Sequence, residues 1–286
     1  MVQARLNGFL PADFDPALMP LIDLANPPAR PAPPDFGPVD IRNGRPSEDE
    51  GLSEAERFAR DGFVILPHAT RVRDWDADVE AIYLPEIDTI IRDRLYPGVR
   101  VEVQQSPKIL RRGRDMSNPY AGGVHSDGPL TSAHYADNVA AFAGPQAEHW
   151  WKAQYDRPDV RDFVQVDFWR PTNMSEPLRH MPLALCRPSS LDAADIVPTE
   201  MIGIAPDRAK SRHLVLRFNR AQEWFYFPEM TTDEVLAFKL GEFWKDDESA
   251  APQNVFHTAF ELPDTPAEAE HRQSCEHRVG VLILRD

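Results

Sequence analysis

The chain has 286 residues, with 46 acidic against 31 basic side chains and a formal net charge of −15. A surface that negative repels phosphate backbones and anionic lipid, which sets aside nucleic-acid binding and polybasic membrane attachment. Its 42% hydrophobic content fits a soluble globular protein, no apolar run nears the roughly 20 residues that span a bilayer, and two cysteines, Cys186 and Cys275, exclude a disulfide framework.

The opening MVQARLNGFLPADFDP has neither the basic start nor the apolar core of a secretion signal, so a reducing cytoplasm is the expected location. Ten of the 28 prolines lie in the first 46 residues. Proline lacks an amide donor and fixes φ, so residues 1–50 read as an extended arm with one short strand, packed on or trailing from the domain that follows. Regular structure is expected from SEAERFARDGFVILPH onward. Ser53 and Glu56 form a capping-box pattern that opens a short helix, Gly62 ends it, and Phe63 to Leu66 form a strand stopped by Pro67. Asp74 to Leu95, with apolar residues at Val79, Ile82, Ile87, Ile90 and Ile91, reads as a second helix that kinks or restarts at Pro85.

After Pro97-Gly98 the pattern turns to short, strand-like runs. VRVEVQQ is followed by FVQVDFW, MPLALC, HLVLRF, EWFYF, VLAFKL, NVFHTAFEL and HRVGVLIL, separated by segments rich in Gly, Pro, Asn or Asp. With few helical stretches after residue 160, this spacing predicts a mainly β protein with flanking α, a jelly roll or related barrel preceded by N-terminal helices, forming one domain over 51–286.

Nine histidines raise the question of which are ligands. His125 is followed two positions later by Asp127, in GGVHSDG. On an extended segment such side chains point the same way, so the two can share a metal ion. His257 lies far downstream in a strand-like run, and Arg272 and Ser274 follow in HRQSCEHR just before the last apolar strand. The order HxD, distant His, then RxS suits a facial-triad iron oxygenase: two imidazoles and a carboxylate leave three positions open, and an arginine with a hydroxyl can hold the distal carboxylate of 2-oxoglutarate. Spacing alone leaves other assignments open. His125, Asp127 and His134 form a local cluster suited to a metal-dependent hydrolase. A strand histidine such as His257 is more often a packed residue than a ligand, which leaves a non-catalytic jelly-roll binding module as a further reading.

Taken in order, DGFVILPHATRVRDWD, IYLPEI, GGVHSDG, FWRP, MPLALCRPSSLDAADIVPTE, EWFYFPEMTTDEVLAFK, FHTAF and RQSCEHR resemble the non-haem Fe(II)/2-oxoglutarate-dependent oxygenases that include the fungal gibberellin desaturase, the cephamycin-biosynthesis methoxylation component and a fungal meroterpenoid endoperoxidase. The resemblance covers most of the chain. It implies a double-stranded β-helix (a cupin-like jelly roll) with Fe(II), 2-oxoglutarate and dioxygen as cosubstrate. It implies His125, Asp127 and His257 as iron ligands and Arg272 with Ser274 as the 2-oxoglutarate anchor, Arg278 being the alternative anchor. The implied reaction couples 2-oxoglutarate breakdown to succinate and CO2 with oxidation of a C–H bond of a small molecule in specialised metabolism, by hydroxylation or desaturation. A carboxylate at position 127 fills the place that halogenating relatives leave open for chloride. Two departures stand out: Arg187 follows Cys186 where the family often has Asp, and Ser126 stands where it often has Asn.

Candidate pocket residues are Trp169 and Arg170 in FWRP, Tyr226 with Trp224 and Phe225 on an alternating strand, and Arg111 in the basic cluster Lys108, Arg111, Arg112 and Arg114, which would attract an anionic substrate. A monomer and a homodimer are equally compatible with these features.

Overall fold

The computed structural model describes all of residues 1–286 except 16, 18, 19, 25, 27–34, 48–50, 115–119 and 248–249, so parts of the expected arm lie outside the described residues. The arm contributes three strands where one was expected: β1 (Val2–Ala4), β2 (Leu21–Asp23) and β3 (Val39–Asn43). None carries an alternating pattern long enough to be read alone; each forms by pairing at a sheet edge. Helix α1 (Glu54–Asp61) has the reciprocal Ser53–Glu56 capping box and ends at Gly62, whose φ of 75° is the left-handed conformation that glycine tolerates. Strand β4 (Phe63–Pro67) follows directly. The second helical stretch is interrupted as Pro85 foretold: α2 (Leu84–Ile90) is flanked by wide π-type turns at Val79–Tyr83 and Ile91–Leu95.

Strands β5 (Val101–Gln104), β6 (Leu110–Gly113) and β7 (His125–Ser126) come next. Two helices that the strand pattern did not announce then intervene, α3 (Ser132–Ala143), capped by Thr131, and α4 (Pro145–Tyr155). The remainder is β: β8 (Val160–Pro171), β9 (Leu183–Cys186), β10 (Ile196–Ile202), β11 (Ser211–Leu216), β12 (Trp224–Tyr226), β13 (Glu234–Trp244), β14 (His257–Ala259) and β15 (Gln273–Leu284). Of these only β10, broken in pattern by Pro198, was not anticipated.

These strands make two sheets. One has nine strands in the order β1-β3-β12-β9-β14-β7-β11-β10-β2; the other has the order β4-β13-β8-β15-β5, with β6 also paired to β15. The molecule is therefore mainly β and of the jelly-roll kind. Alternation assigns each side chain to a face. Phe63, Ile65, Trp169, Leu183, Leu185, Phe225, Leu236, Phe238 and Leu240 fill the space between the sheets. Val64, Val166, Phe168, Val235, Cys275, Val279 and Val281 point the other way and bury Tyr83, Ile87, Ile90 and Ile91 of the helical layer. The outer face of the larger sheet is covered from the arm by Ala4, Leu6 and Phe9, which meet Leu214, Leu216, Trp224 and Tyr226. Trp151 and Tyr155 of α4 pack with Phe163, Phe243 and Leu282. No helix among the described residues is long and apolar enough to cross a membrane.

Candidate metal centre

The site is dictated by register. On the inner face of the larger sheet, Phe225 is opposite Leu185, Leu185 opposite His257, His257 opposite His125, and His125 opposite Val215. The two histidines, 132 positions apart in sequence, are thus next-door neighbours with ring centroids 4.5 Å apart. Asp127 follows β7 and turns inward: its Oδ2 lies 3.8 Å from His125 Nε2 and 3.6 Å from His257 Nε2. Two atoms that each sit about 2.1 Å from one ion can be at most about 4.2 Å apart, so this donor set fits a single transition-metal ion. The outer ring nitrogens support the fit. His125 Nδ1 meets the carbonyl of Gly123 at 2.6 Å and His257 Nδ1 that of Val255 at 3.3 Å, which fixes both rings with Nε2 facing Asp127.

Electrostatics hold His125 and Asp127 in their binding forms, while in the metal-free site the Asp127 carboxylate favours a proton on His257. Burial, followed by the charge of His257, holds His125 down at about 4, so it is neutral. Burial opposes charge on Asp127, but Arg278 and the surrounding imidazoles outweigh it and hold the carboxyl well below its usual range. For His257 burial is likewise outweighed, here by Asp127, and the pKa rises.

Gly128 and Asn254 fix the turn that presents Asp127. A Cβ at Gly128 would meet the carbonyl oxygen of Leu240 at 2.0 Å. The buried Asn254 amide donates to the carbonyls of Gly128 at 3.1 Å and of Leu240.

Facing the triad from the other sheet is an acid–arginine cluster on inner positions of β8 and β15, where Arg278 is opposite Asp167 and Glu276 opposite Trp169. Arg278 donates to Asp127 Oδ2 at 2.8 Å and lies 3.6 Å from Glu276. Burial works against its charge, yet Asp127, Asp167 and Glu276 raise its pKa further. Asp167 is fully buried, and burial together with Glu276 pushes its pKa up to about 7. Arg112 Nε bonds Glu276 at 2.6 Å.

Arg272, at the entrance to β15, is different. It is 1% exposed, and its guanidinium stacks 4.2 Å over Tyr120 and 5.6 Å from Trp169. It donates to the carbonyl of Met181 at 2.6 Å, and among the described residues its Nε has no partner and no carboxylate pairs with it. Burial accordingly lowers its pKa to about 10. Ser274 Oγ, two residues on, is also buried and has no partner among the described residues.

Several pocket candidates face elsewhere, by the parity of their strands. Arg170 is opposite Cys275 on the outer face, donates to His68 and Thr232, and stacks near Trp75. Arg111, also opposite Cys275, reaches Asp76. Tyr226 and Trp224 lie under the arm, and only Phe225 of that strand points inward. Trp169 does face the interior. The basic cluster is dispersed: Lys108 is exposed, Arg112 points into the barrel and Arg114 reaches His271 at the rim. His134 sits in the first turn of α3, and the cluster of metal-capable side chains around Asp127 takes His257 rather than His134. Arg187, the departure after Cys186, bridges Asp61 and Glu223 and stacks 4.5 Å over Phe225.

Residues 30–282 match the family model described as the oxidoreductase/YMDC permease-like domain. The chain belongs to this family. Among characterised relatives it is 30% identical over 113 residues to aspirochlorine biosynthesis protein N of Aspergillus oryzae, a match covering 40% of this chain and 45% of that protein. It is 29% identical over 206 residues to the hydroxylase/desaturase asaB of Aspergillus flavus, covering 64% of this chain and 83% of the relative. Among solved structures, the iron and alpha-ketoglutarate-dependent endoperoxidase NvfI superposes over 95% of this chain and 96% of its own, with a TM-score of 0.67 and 20% identity. A second conformation of NvfI gives 0.70, with 19% identity and coverage of 99% and 98%. At these identities the likeness is one of fold.

Proposed function

We propose that the chain is an Fe(II)- and 2-oxoglutarate-dependent oxygenase that oxidises a C–H bond of a small molecule in specialised metabolism, as a hydroxylase or desaturase, with release of succinate and CO2. One observation carries this reading: the Nε2 atoms of His125 and His257 converge on a nearly buried oxygen of Asp127 with both Nδ1 atoms tied back to the chain. In this reading the fold is a double-stranded β-helix, residues 51–286 form one oxygenase domain, and the arm 1–50 extends its larger sheet.

His125, Asp127 and His257 would hold the iron. Iron, 2-oxoglutarate and dioxygen supply the oxidising chemistry when bound. The chain's own residues bind, orient and shield. Arg272 with Ser274 would take the distal carboxylate of 2-oxoglutarate: a buried guanidinium without a carboxylate partner among the described residues calls for an anion, and the neighbouring hydroxyl, likewise without a partner among them, can donate. Arg278 is the weaker candidate, because Asp127 and Glu276 already engage it. Trp169 lies beside the Arg272 guanidinium and would wall that subsite from water. The carboxylate at Asp127 argues against halogenation, since chloride would need its place on the metal. The names of asaB and NvfI, a hydroxylase/desaturase and an iron and alpha-ketoglutarate-dependent endoperoxidase, agree with this chemical class. Both cysteines are free and buried, which fits a reducing cytoplasm.

An anaerobic visible spectrum tests the reading. Fe(II) with 2-oxoglutarate should give a weak charge-transfer band in the wild-type protein and none in His257→Ala. A band that survives that substitution, or no band in either, would refute it.

A further inference from the structure

Asp127 has a neighbour that the proposed ligand set does not use. His213 lies on β11, is 1% exposed, and brings Nδ1 to 3.4 Å from Asp127 Oδ1, a close polar contact that a small turn of the ring would make a hydrogen bond. Strand register explains the approach. β7 and β11 pair antiparallel, with His125 opposite Val215 and Ser126 opposite Leu214. Extending the ladder one step brings Asp127 opposite His213. The oxygen concerned is the one turned away from the two ligand imidazoles, which both face Oδ2.

Behind the ring, Nε2 lies 2.8 Å from Oγ of Ser211, and both side chains are buried. A serine hydroxyl donating to Nε2 puts the ring proton on Nδ1, aimed at Asp127. Among the described residues His213 Nδ1 has no partner in hydrogen-bond geometry, and the carboxylate oxygen it faces is Oδ1 of Asp127.

We propose that His213 is a positioning residue of the metal centre: with Ser211 fixing its tautomer, it holds Oδ1 of Asp127 so that Oδ2 alone is offered to the ion. The proposal rests on the assignment of His125, Asp127 and His257 as ligands. A carboxylate free to turn can chelate with both oxygens, and the second would occupy a position that the keto acid or dioxygen needs. Arg278 does not replace His213, because its hydrogen bond goes to Oδ2.

Anaerobic titration with Co(II), whose visible bands report coordination number and geometry, tests this without turnover. His213→Phe should weaken Co(II) binding about 10–100-fold and change the band pattern. His213→Asn, which keeps an N–H donor, should recover most of both, and Ser211→Ala should fall between. Wild-type affinity and bands in His213→Phe would overturn the proposal. So would pulsed electron-spin measurements that count three coordinated imidazoles, since His213 would then be a ligand. If His213→Phe fails to fold, Ser211→Ala decides: a weakened, altered complex supports the proposal and wild-type behaviour overturns it. Failure of the underlying ligand assignment looks different, because wild type would then bind no Co(II), or His257→Ala would bind it as well as wild type.

Discussion

Arg272→Met separates a ligand-binding arginine from a structural one by the signs of two effects. In the folded protein the guanidinium is buried and stacks on Tyr120, and among the described residues it has one carbonyl partner and no carboxylate. If it anchors 2-oxoglutarate, methionine removes two charge-assisted hydrogen bonds worth about 1.5–3 kcal/mol each before desolvation of the carboxylate is counted. A net loss of about 3–4 kcal/mol weakens cosubstrate binding by roughly two to three orders of magnitude. The ligand-free protein should respond oppositely. Replacing a buried charge that has no carboxylate partner among the described residues by an apolar chain of similar length relieves a desolvation penalty of several kcal/mol, less about 1 kcal/mol for the lost bond to Met181 and about 1–2 kcal/mol for the lost stacking on Tyr120. Its Tm should therefore hold or rise by a few degrees. Two assays read the pair: titration of the anaerobic Fe(II) charge-transfer band with 2-oxoglutarate, and thermal unfolding without metal or cosubstrate. Unchanged 2-oxoglutarate binding would refute the anchor. A Tm several degrees lower would refute the argument that the charge is unpaired for a ligand's sake.

Other substitutions probe the fold around the site. Gly128→Ala forces a Cβ onto the Leu240 carbonyl, so the turn must leave β13; we expect a stability loss of about 1–3 kcal/mol in denaturant unfolding, together with loss of Co(II) binding. His134→Ala should leave metal binding and succinate formation at wild-type levels, whereas a hydrolase using that histidine would lose its metal. His277, buried on the outer face of β15 beside Gln105, is held at about 4 chiefly by burial, against 6.5 ordinarily. The unfolded chain therefore binds the extra proton, and the contribution is intact above pH 6.5 and lost as pH falls toward 4. Between pH 7 and 5 it amounts to about 2 kcal/mol, so His277→Gln should show an unfolding free energy that drops that much less over this interval. Equal drops in the two proteins would contradict the assignment.

Much of the architecture was legible because strand alternation is a local signal. The runs that became β5, β8, β9 and β11 to β15 announced themselves, as did α1 through Ser53, Glu56 and Gly62. What was missed depends on partners distant in sequence. β1, β2 and β3 are held by sheet edges, and Pro198 hides β10. Helices α3 and α4 carry only short local markers in Thr131 and Gly144-Pro145, set between strand-like runs. Within the site, the order HxD then His points to the three side chains that the fold gathers, His125, Asp127 and His257. Alternation also showed that neighbours on a strand face opposite ways, but not which way. That is why Arg170, Arg111 and Tyr226 look like pocket residues in the sequence although they face outward. His213 was invisible as a candidate, because its approach to Asp127 follows from the pairing of β7 with β11, which one sequence does not reveal.

The most direct measurement is anomalous X-ray diffraction at the iron edge from crystals grown anaerobically with Fe(II). The account predicts one strong peak within about 2.0–2.3 Å of His125 Nε2, one Asp127 oxygen and His257 Nε2. Iron bound elsewhere, or coordinated by His134 in place of His257, would contradict it.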